Sequence, residues 1–290
     1  MENTPITDTN SSKYWDLIIR PKRNLFALPI AELWKYKDLI GMFVRRDFVS
    51  VYKQTILGPL WYLIQPLLTT ITFTVIFGNI AKLPTDGLPQ FLFYMSGTVI
   101  WTYFATCLTK TSTIFVDNSP LFGKVYFPRL AVPISILISN LITFGIQFAF
   151  FLAFMAYFAI RGSVFSPNLW ILFSPVLILM MAGLGLGLGL LISSMTTKYR
   201  DLRFLVQFGV TLLMYATPVI YPESSIPVRF QLLIKANPMT PIAETFRYAF
   251  LGAGTINPSD LVYSFLFMVV VVIIGTVVFN RVEATFMDTV

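Results

Sequence analysis

Six apolar stretches, at about 59–81, 91–116, 131–160, 169–195, 202–220 and 261–280, alternate with shorter polar connections along the chain. Each meets or approaches the roughly 20 residues that a helix needs to cross a roughly 30 Å hydrocarbon layer. The third is long enough to tilt or to carry an interfacial turn. The pattern predicts an all-α integral membrane protein with six transmembrane helices in one domain over 59–290, preceded by a polar or amphipathic arm over 1–58. The arm lacks the charged, apolar and small-residue succession of a cleaved leader, so no signal peptide is expected.

Two of the connecting regions have patterns of their own. Within the arm, Pro29 opens a helix expected over 29–55. Ile30, Leu33, Tyr36, Ile40, Phe43, Val44, Phe48 and Val51 fall within an arc of about 140°, with Lys35, Arg46 and Lys53 opposite. Lys37 and Asp47 interrupt the apolar arc. Such a helix suits the cytoplasmic membrane surface, either as an anchor or to meet a partner or a lipid headgroup. The connection 221–260, about 40 residues, is long for a bare loop. One short helix is expected over 226–236. A second would have Thr240 as N-cap, Pro241 in its first turn and Gly252 at its end. Glu244 lies in that first turn, three residues from Arg247, a favourable pairing. Two short, half-apolar helices read as re-entrant or interfacial elements closing the outer end of a pathway.

Charge placement sets the orientation. Of the 21 lysines and arginines, fifteen fall on one side: nine in the arm, two in the second loop, three in the fourth and one in the tail. Five lie on the other side, and Lys110 falls inside a span. Cationic loops stay in the cytoplasm, so both termini are expected there, in a multi-pass plasma-membrane protein. The net charge of +7 follows from this topology and implies no nucleic-acid partner. Composition agrees: 56% of the 290 residues are apolar and 12% charged, against roughly 25% charged in ordinary soluble domains. With no histidine and one cysteine, Cys107, the chain excludes serine–histidine and cysteine–histidine catalysis, histidine-ligated metals and thiolate zinc. No metal, cofactor or catalytic residue is expected.

Polar residues recur inside the spans at helical spacing. Gln65, Thr69, Thr72 and Asn79 mark the first, while Ser96, Tyr103, Lys110 and Asp117 mark the second, with Thr106 and Thr113 on the same side. Asn140, Thr143 and Gln147 follow in the third, and Gln207, Thr211 and Tyr215 in the fifth. They serve either as hydrogen bonds between helices or as the wall of a polar conduit. Lys110 can instead snorkel to the headgroups. Trp61, Tyr62, Tyr94, Trp101, Tyr103 and Phe104 share these helices; they either face lipid and its interface or offer flat faces to a passing carbohydrate. Gly183, Gly185, Gly187 and Gly189 form two overlapping pairs four residues apart, a signal of close helix packing. Leu190-Leu191 follows, where a phosphate-binding loop needs Lys-Ser/Thr. No Asp or Glu lies in any of the six stretches. Ion-coupled carriers usually place a carboxylate there, so the energy is expected from another subunit.

The second loop, 117–130, reads Asp-Asn-Ser-Pro-Leu-Phe-Gly-Lys-Val-Tyr-Phe-Pro-Arg-Leu. Its prolines bracket a turn or two of helix, and its aromatics are expected to be exposed, as a docking surface or at the membrane interface.

Arg45-Arg46-Asp47, Tyr52-Lys53-Gln54-Thr55, Leu57-Gly58-Pro59-Leu60-Trp61 and Gln65-Pro66 together resemble the permease subunits of ABC-2-type polysaccharide exporters. Tyr199-Arg200-Asp201-Leu202 and Asn237-Pro238-Met239-Thr240-Pro241-Ile242 with Arg247 are similar to further motifs of that family, so the resemblance runs from about Leu33 to the end. It implies a homodimer working with two copies of a cytoplasmic ATPase that holds ATP and Mg. The substrate implied is a lipid-linked polysaccharide, such as O antigen, capsule or teichoic acid, on a polyprenyl-pyrophosphate carrier. By the same resemblance, Leu121, Phe122, Gly123, Lys124 and Val125 couple to the ATPase. Arg45, Arg46 and Lys53, at headgroup depth, contact the carrier's phosphates. Trp61, Tyr62, Gln65, Thr69, Tyr94, Trp101, Tyr103, Phe104, Gln207, Thr211 and Tyr215 line the path, and Pro238, Thr240, Glu244 and Arg247 form the outer gate. Two alternatives remain at this point. One is an exporter of small molecules on the same architecture. The other is a membrane-embedded glycosyl- or acyltransferase, which would need an acid–base pair from Asp117, Asp201, Glu223, Glu244 and Asp260.

Overall fold

A computed structural model describes residues 30–53, 55–122, 127–163, 165–197, 199 and 201–286. All regular structure among them is helical. Two helices, α1 (Ile30–Lys35) and α2 (Lys37–Tyr52), precede the first span. That span, Gly58–Ile80, begins as a 3-10 turn, continues as α3 (Trp61–Phe73) and ends as a π-helix over Thr74–Ile80. Then come α4 (Gln90–Ser112), the single turns α5 (Ile114–Asp117) and α6 (Ser119–Phe122), α7 (Ala131–Ile160), α8 (Ser174–Thr196) and α9 (Leu202–Tyr215). The chain closes with α10 (Val228–Lys235), α11 (Met239–Leu251) and α12 (Pro258–Phe286).

Five helices are long and apolar enough to cross a membrane: Gly58–Ile80, Gln90–Ser112, Ala131–Ile160, Leu169–Thr196 and Pro258–Glu283. The protein is a multi-pass membrane protein. The stretch expected as a span over 202–220 is helical only to Tyr215, where a turn begins. Its 14 residues give about 21 Å of helix.

Helix α4 is the hub: α3, α7, α8, α9 and α11 all pack on it. Close contact with α8 rests on the alternating glycines, whose two overlapping pairs serve two different neighbours. A Cβ on Gly185 would stand 2.8 Å from the Cys107 Cβ, and one on Gly189 2.5 Å from the Thr111 Cβ, both on α4. On the other face, a Cβ on Gly187 would stand 2.7 Å from the Val272 amide nitrogen of α12, and one on Gly183 would meet Met268. One short repeat thus lets α8 fit between two helices. The helix α12 in turn returns the favour at Gly275, where a Cβ would fall 2.5 Å from the Gly187 carbonyl.

The N-terminal helices are packed rather than laid bare along a surface. Leu33, Ile40 and Phe43 are buried in a second core with Phe115, Phe122, Phe127, Leu130, Val132, Ile136 and Phe279. Trp34 and Met42 stay exposed. Leu33, Ile40 and Phe43 of the arc expected from periodicity therefore face the start of α7 and the neighbouring residues 114–122 and 127–130.

Candidate functional site

The 237–247 motif builds a clamp. Asn237 is nearly buried and uses both ends of its amide: Nδ2 donates to the Ala216 carbonyl (3.1 Å) and to Thr217 Oγ1 (2.8 Å), while Oδ1 accepts from the Met239 N–H (3.0 Å). Asn237 thus supplies the helix-start bond expected of Thr240. Thr240 sits inside the helix and its hydroxyl donates back to the Ile234 carbonyl (2.8 Å). Gly252 ends α11 in the left-handed region at φ +78, as its lack of a Cβ permits. Along α11 every residue except Tyr248 is buried. This helix, expected as a half-apolar re-entrant or interfacial element, is a core element wedged among α4, α8 and α12.

At its centre Arg247 is 1% exposed. Nη1 meets Glu244 Oε1 at 2.7 Å, Nη2 donates to the Pro218 carbonyl at 2.7 Å, and the guanidinium lies 4.0 Å from the centroid of the Phe93 ring. Asn237 and Arg247 together hold 216–218, the segment that follows α9. Gly97 admits it, since a Cβ there would fall 2.7 Å from the Val219 carbonyl. Burial pushes the Glu244 carboxyl above the ordinary glutamate range and Glu223 adds to the effect; Arg247 and the backbone amides of Glu223 and Thr255 oppose it. Burial also lowers the Arg247 guanidinium, against the pull of Glu244 and Asp86. Pro238 is half-buried at the head of α11.

On a neighbouring face of α4, met by Tyr94 and Thr98, α3 presents an open face. Trp61, Gln65 and Thr69, with Leu68, Thr72 and Phe73, line a furrow of about 420 Å³. Tyr62 turns away, its ring stacked on Phe48 and its carbonyl accepting from Gln147 Nε2 at 3.1 Å. Gln207, Thr211 and Tyr215 share the exposed face of α9 beside Phe204, Phe208 and Leu212. By contrast, Tyr94, Trp101, Tyr103 and Phe104 are 0–6% exposed and lie within the chain's own core. Aromatics on α4 read as path-facing in sequence therefore meet neighbouring helices.

At the other end Phe122 is 2% exposed. It sits edge-on to Phe115 and under Arg129, whose guanidinium is 5.4 Å from its ring. The expectation of an exposed aromatic at this position is corrected: Phe122 wedges the loop into the second core. Leu121 is partly buried against it, and Gly123, Lys124 and Val125 lie outside the described residues. Arg45, Arg46 and Lys53 are exposed; Arg46 bonds Asp47 at 2.8 Å and stacks on Phe43. Sequence reasoning missed Asn237 as the clamp, and the partners Phe93, Gly97 and Pro218. A glycine inside a span and a Thr-Pro pair at the end of one were the available signals.

These helices, with their open faces and buried clamp, have matching relatives. The ABC-2 type transporter family matches residues 38–251. The chain belongs to that family. An ABC-2 permease is the membrane subunit of a transporter, and the family boundary at 251 coincides with the end of α11. Among curated relatives, an O-antigen export system permease protein RfbA of Klebsiella pneumoniae is 25% identical over 252 residues, 87% of this chain and 94% of the relative. One of the same name from Myxococcus xanthus is 28% identical over 225 residues, 76% and 83% of the two chains.

Proposed function

We propose that this ABC-2 permease exports a lipid-linked polysaccharide, most simply O antigen, from the cytoplasm across a bacterial inner membrane. The observation that carries the reading is the likeness, over most of both chains, to permeases named for O-antigen export. The absence of any carboxylate from the six apolar stretches of the sequence supports an outside energy source, a cytoplasmic ATPase that binds ATP and Mg. In this reading two copies pair, with two ATPase subunits below them. Their open α3 and α9 faces border the lateral opening, which a polyprenyl-pyrophosphate-linked glycan enters. Both termini are cytoplasmic and α9 is a sixth span, its short helix extended by the clamped 216–220 segment. Exposed Arg45, Arg46 and Lys53 meet headgroup phosphates, and the α11 clamp sets the outer gate.

The test is a deletion strain scored for surface glycan, with affinity purification of the tagged permease. Loss of surface O-polysaccharide and co-purification of an ATP-binding-cassette ATPase are expected. Normal surface glycan would sink the reading, and altered drug susceptibility alongside it would favour small-molecule export. In the coupling loop, Phe122→Ala and Lys124→Glu should each reduce ATPase co-purification while membrane insertion persists. Normal export by both variants would remove the loop from the coupling path.

A further inference from the structure

Helix α4 is closed on all sides from Leu92 to Trp101. Toward Ser112 a single window opens. Thr102, Ala105, Thr106, Thr109 and Lys110 are half-buried or exposed, while Tyr103, Phe104, Cys107 and Leu108 between them are buried. Steps of three and four residues make the window one helix face. Its chemistry is the reverse of a lipid contact, since it offers no large apolar side chain. The threonine hydroxyls donate one turn back, Thr102 to Thr98 (2.7 Å), Thr106 to Thr102 (2.7 Å) and Thr109 to Ala105 (2.8 Å). With their protons used, they keep oxygen lone pairs free to accept, which suits a chain rich in hydroxyl donors.

Lys110 ends this stripe. Its Nζ lies 3.2 Å from Asn140 Oδ1, and the Asn140 amide in turn reaches Cys107 Sγ at 3.7 Å, one turn farther into the span. The ammonium is therefore held sideways against α7 and is not extended toward the headgroups. An amide oxygen orients a cation without neutralising it, and among the described residues no carboxylate pairs with Lys110. At the edge of the hydrocarbon layer, a cation held by an amide alone is free to meet an anionic headgroup or phosphate. Register gives its position: the Thr70–Thr98 hydrogen bond (3.1 Å) pairs α3 with α4. The same number of residues separates Thr98 from Lys110 and Thr70 from Gly58, where the first span begins. Lys110 thus stands level with the entrance to the furrow lined by Trp61, Gln65 and Thr69.

We propose that Lys110, oriented by Asn140, binds the phosphate group of the lipid-linked substrate at the mouth of the path, and that Thr102, Thr106 and Thr109 are the polar track beyond it. This rests on the exporter reading above. It adds a phosphate site at the end of the α4 span, distinct from the exposed arginines of α2. Charge complementarity selects the ligand class, and the acceptor-lined stripe selects the cargo that follows it.

The test uses the full chain in nanodiscs of phosphatidylcholine, with radiolabelled farnesyl pyrophosphate as probe and farnesol and inorganic pyrophosphate as competitors. Wild-type protein should bind the probe, Lys110→Gln should weaken it at least tenfold, and Lys110→Arg should stay within about threefold. Asn140→Leu should fall between them. Farnesol should compete equally poorly with all variants. Competition by inorganic pyrophosphate as strong as by unlabelled farnesyl pyrophosphate would assign the site to free phosphate and overturn the lipid-linked assignment. Equal binding by wild type and Lys110→Gln would overturn the site. So would loss of binding in Lys110→Arg as deep as in Lys110→Gln, because it would show a packing role. These outcomes leave the exporter reading untouched, since that stands or falls on surface glycan in the deletion strain.

Discussion

Each end of the helix bundle holds a buried arginine above a phenylalanine, and the two are built differently. Arg247 lies 4.0 Å from the Phe93 ring, meets a buried carboxylate at 2.7 Å and a carbonyl at 2.7 Å. Arg129 lies 5.4 Å from the Phe122 ring, donates to the Glu283 carbonyl at 3.0 Å and stands 3.9 Å from the Glu283 carboxylate. The first fixes one turn, residues 216–218, against the core. The second sits among aromatic rings, Phe43, Phe115, Phe122, Phe127 and Phe279, which bring packing area but few directional bonds. A buried ion pair contributes little net stability, yet breaking it on one side is costly. The shorter ion pair marks the end held more tightly to one geometry, while the Arg129 end combines a longer ion pair with ring packing.

The largest effect is expected from Arg247→Ala. It leaves Glu244 buried without its cation and the Pro218 carbonyl without its donor, a loss of about 3–5 kcal/mol. Thermal unfolding in detergent should show it as a large drop in melting temperature. The double variant Arg247→Ala, Glu244→Ala should lose less than the two single variants added together, because no lone charge remains. Strict additivity would show that the pair is not coupled. Arg247→Lys should recover little, since one ammonium cannot reproduce the planar fork that serves Glu244 and Pro218 together.

Arg129→Ala should cost less, about 1.5–3 kcal/mol for a charge-assisted hydrogen bond to a carbonyl. Arg129→Lys should be tolerated better than Arg247→Lys, because its contact with a carboxylate is the longer one, 3.9 Å against 2.7 Å. If both lysine variants behave alike, the contrast between the two ends disappears.

How much of this was legible in the sequence depended on what sets each feature. Helix α7 was readable at both ends: the apolar run over 131–160 is the helix Ala131–Ile160, bounded by Pro128-Arg129 and by Arg161-Gly162. The glycine pairs of α8 were readable as close packing, though not that each pair faces a different helix. The end of α9 was hidden, because 202–220 is mostly apolar and the turn after Tyr215 is held by Asn237 and Arg247 from farther along the chain. The α4 stripe was half readable. Ser96 is buried because α4 is enclosed on every side there, and only farther along, at Thr106 and Lys110, does one face open. Aromatic content could not say which face of α4 its neighbours cover. Phe122 was misjudged as exposed because the loop's small size concealed the core that α2 and α12 build around it.

The smallest expected effect is in pH, and it belongs to the Arg247 end. Burial holds the Glu244 carboxyl above its ordinary value of 4.5, with Arg247 opposing. A carboxyl raised in the folded state binds its proton more tightly there than in the unfolded chain. Its contribution to stability is therefore complete below the ordinary value and is lost as pH rises through the raised one. Relative to Glu244→Gln, wild-type protein should gain melting temperature as pH falls from neutral toward that value. The gain should be modest, because the low-pH form weakens the ion pair that holds Pro218. Arg129→Lys should leave this difference between wild type and Glu244→Gln unchanged, since it alters only the other end. A pH profile that moves with Arg129 instead would mean that the two arginines are coupled through the length of α4 and α8, and the contrast between the two ends would fail.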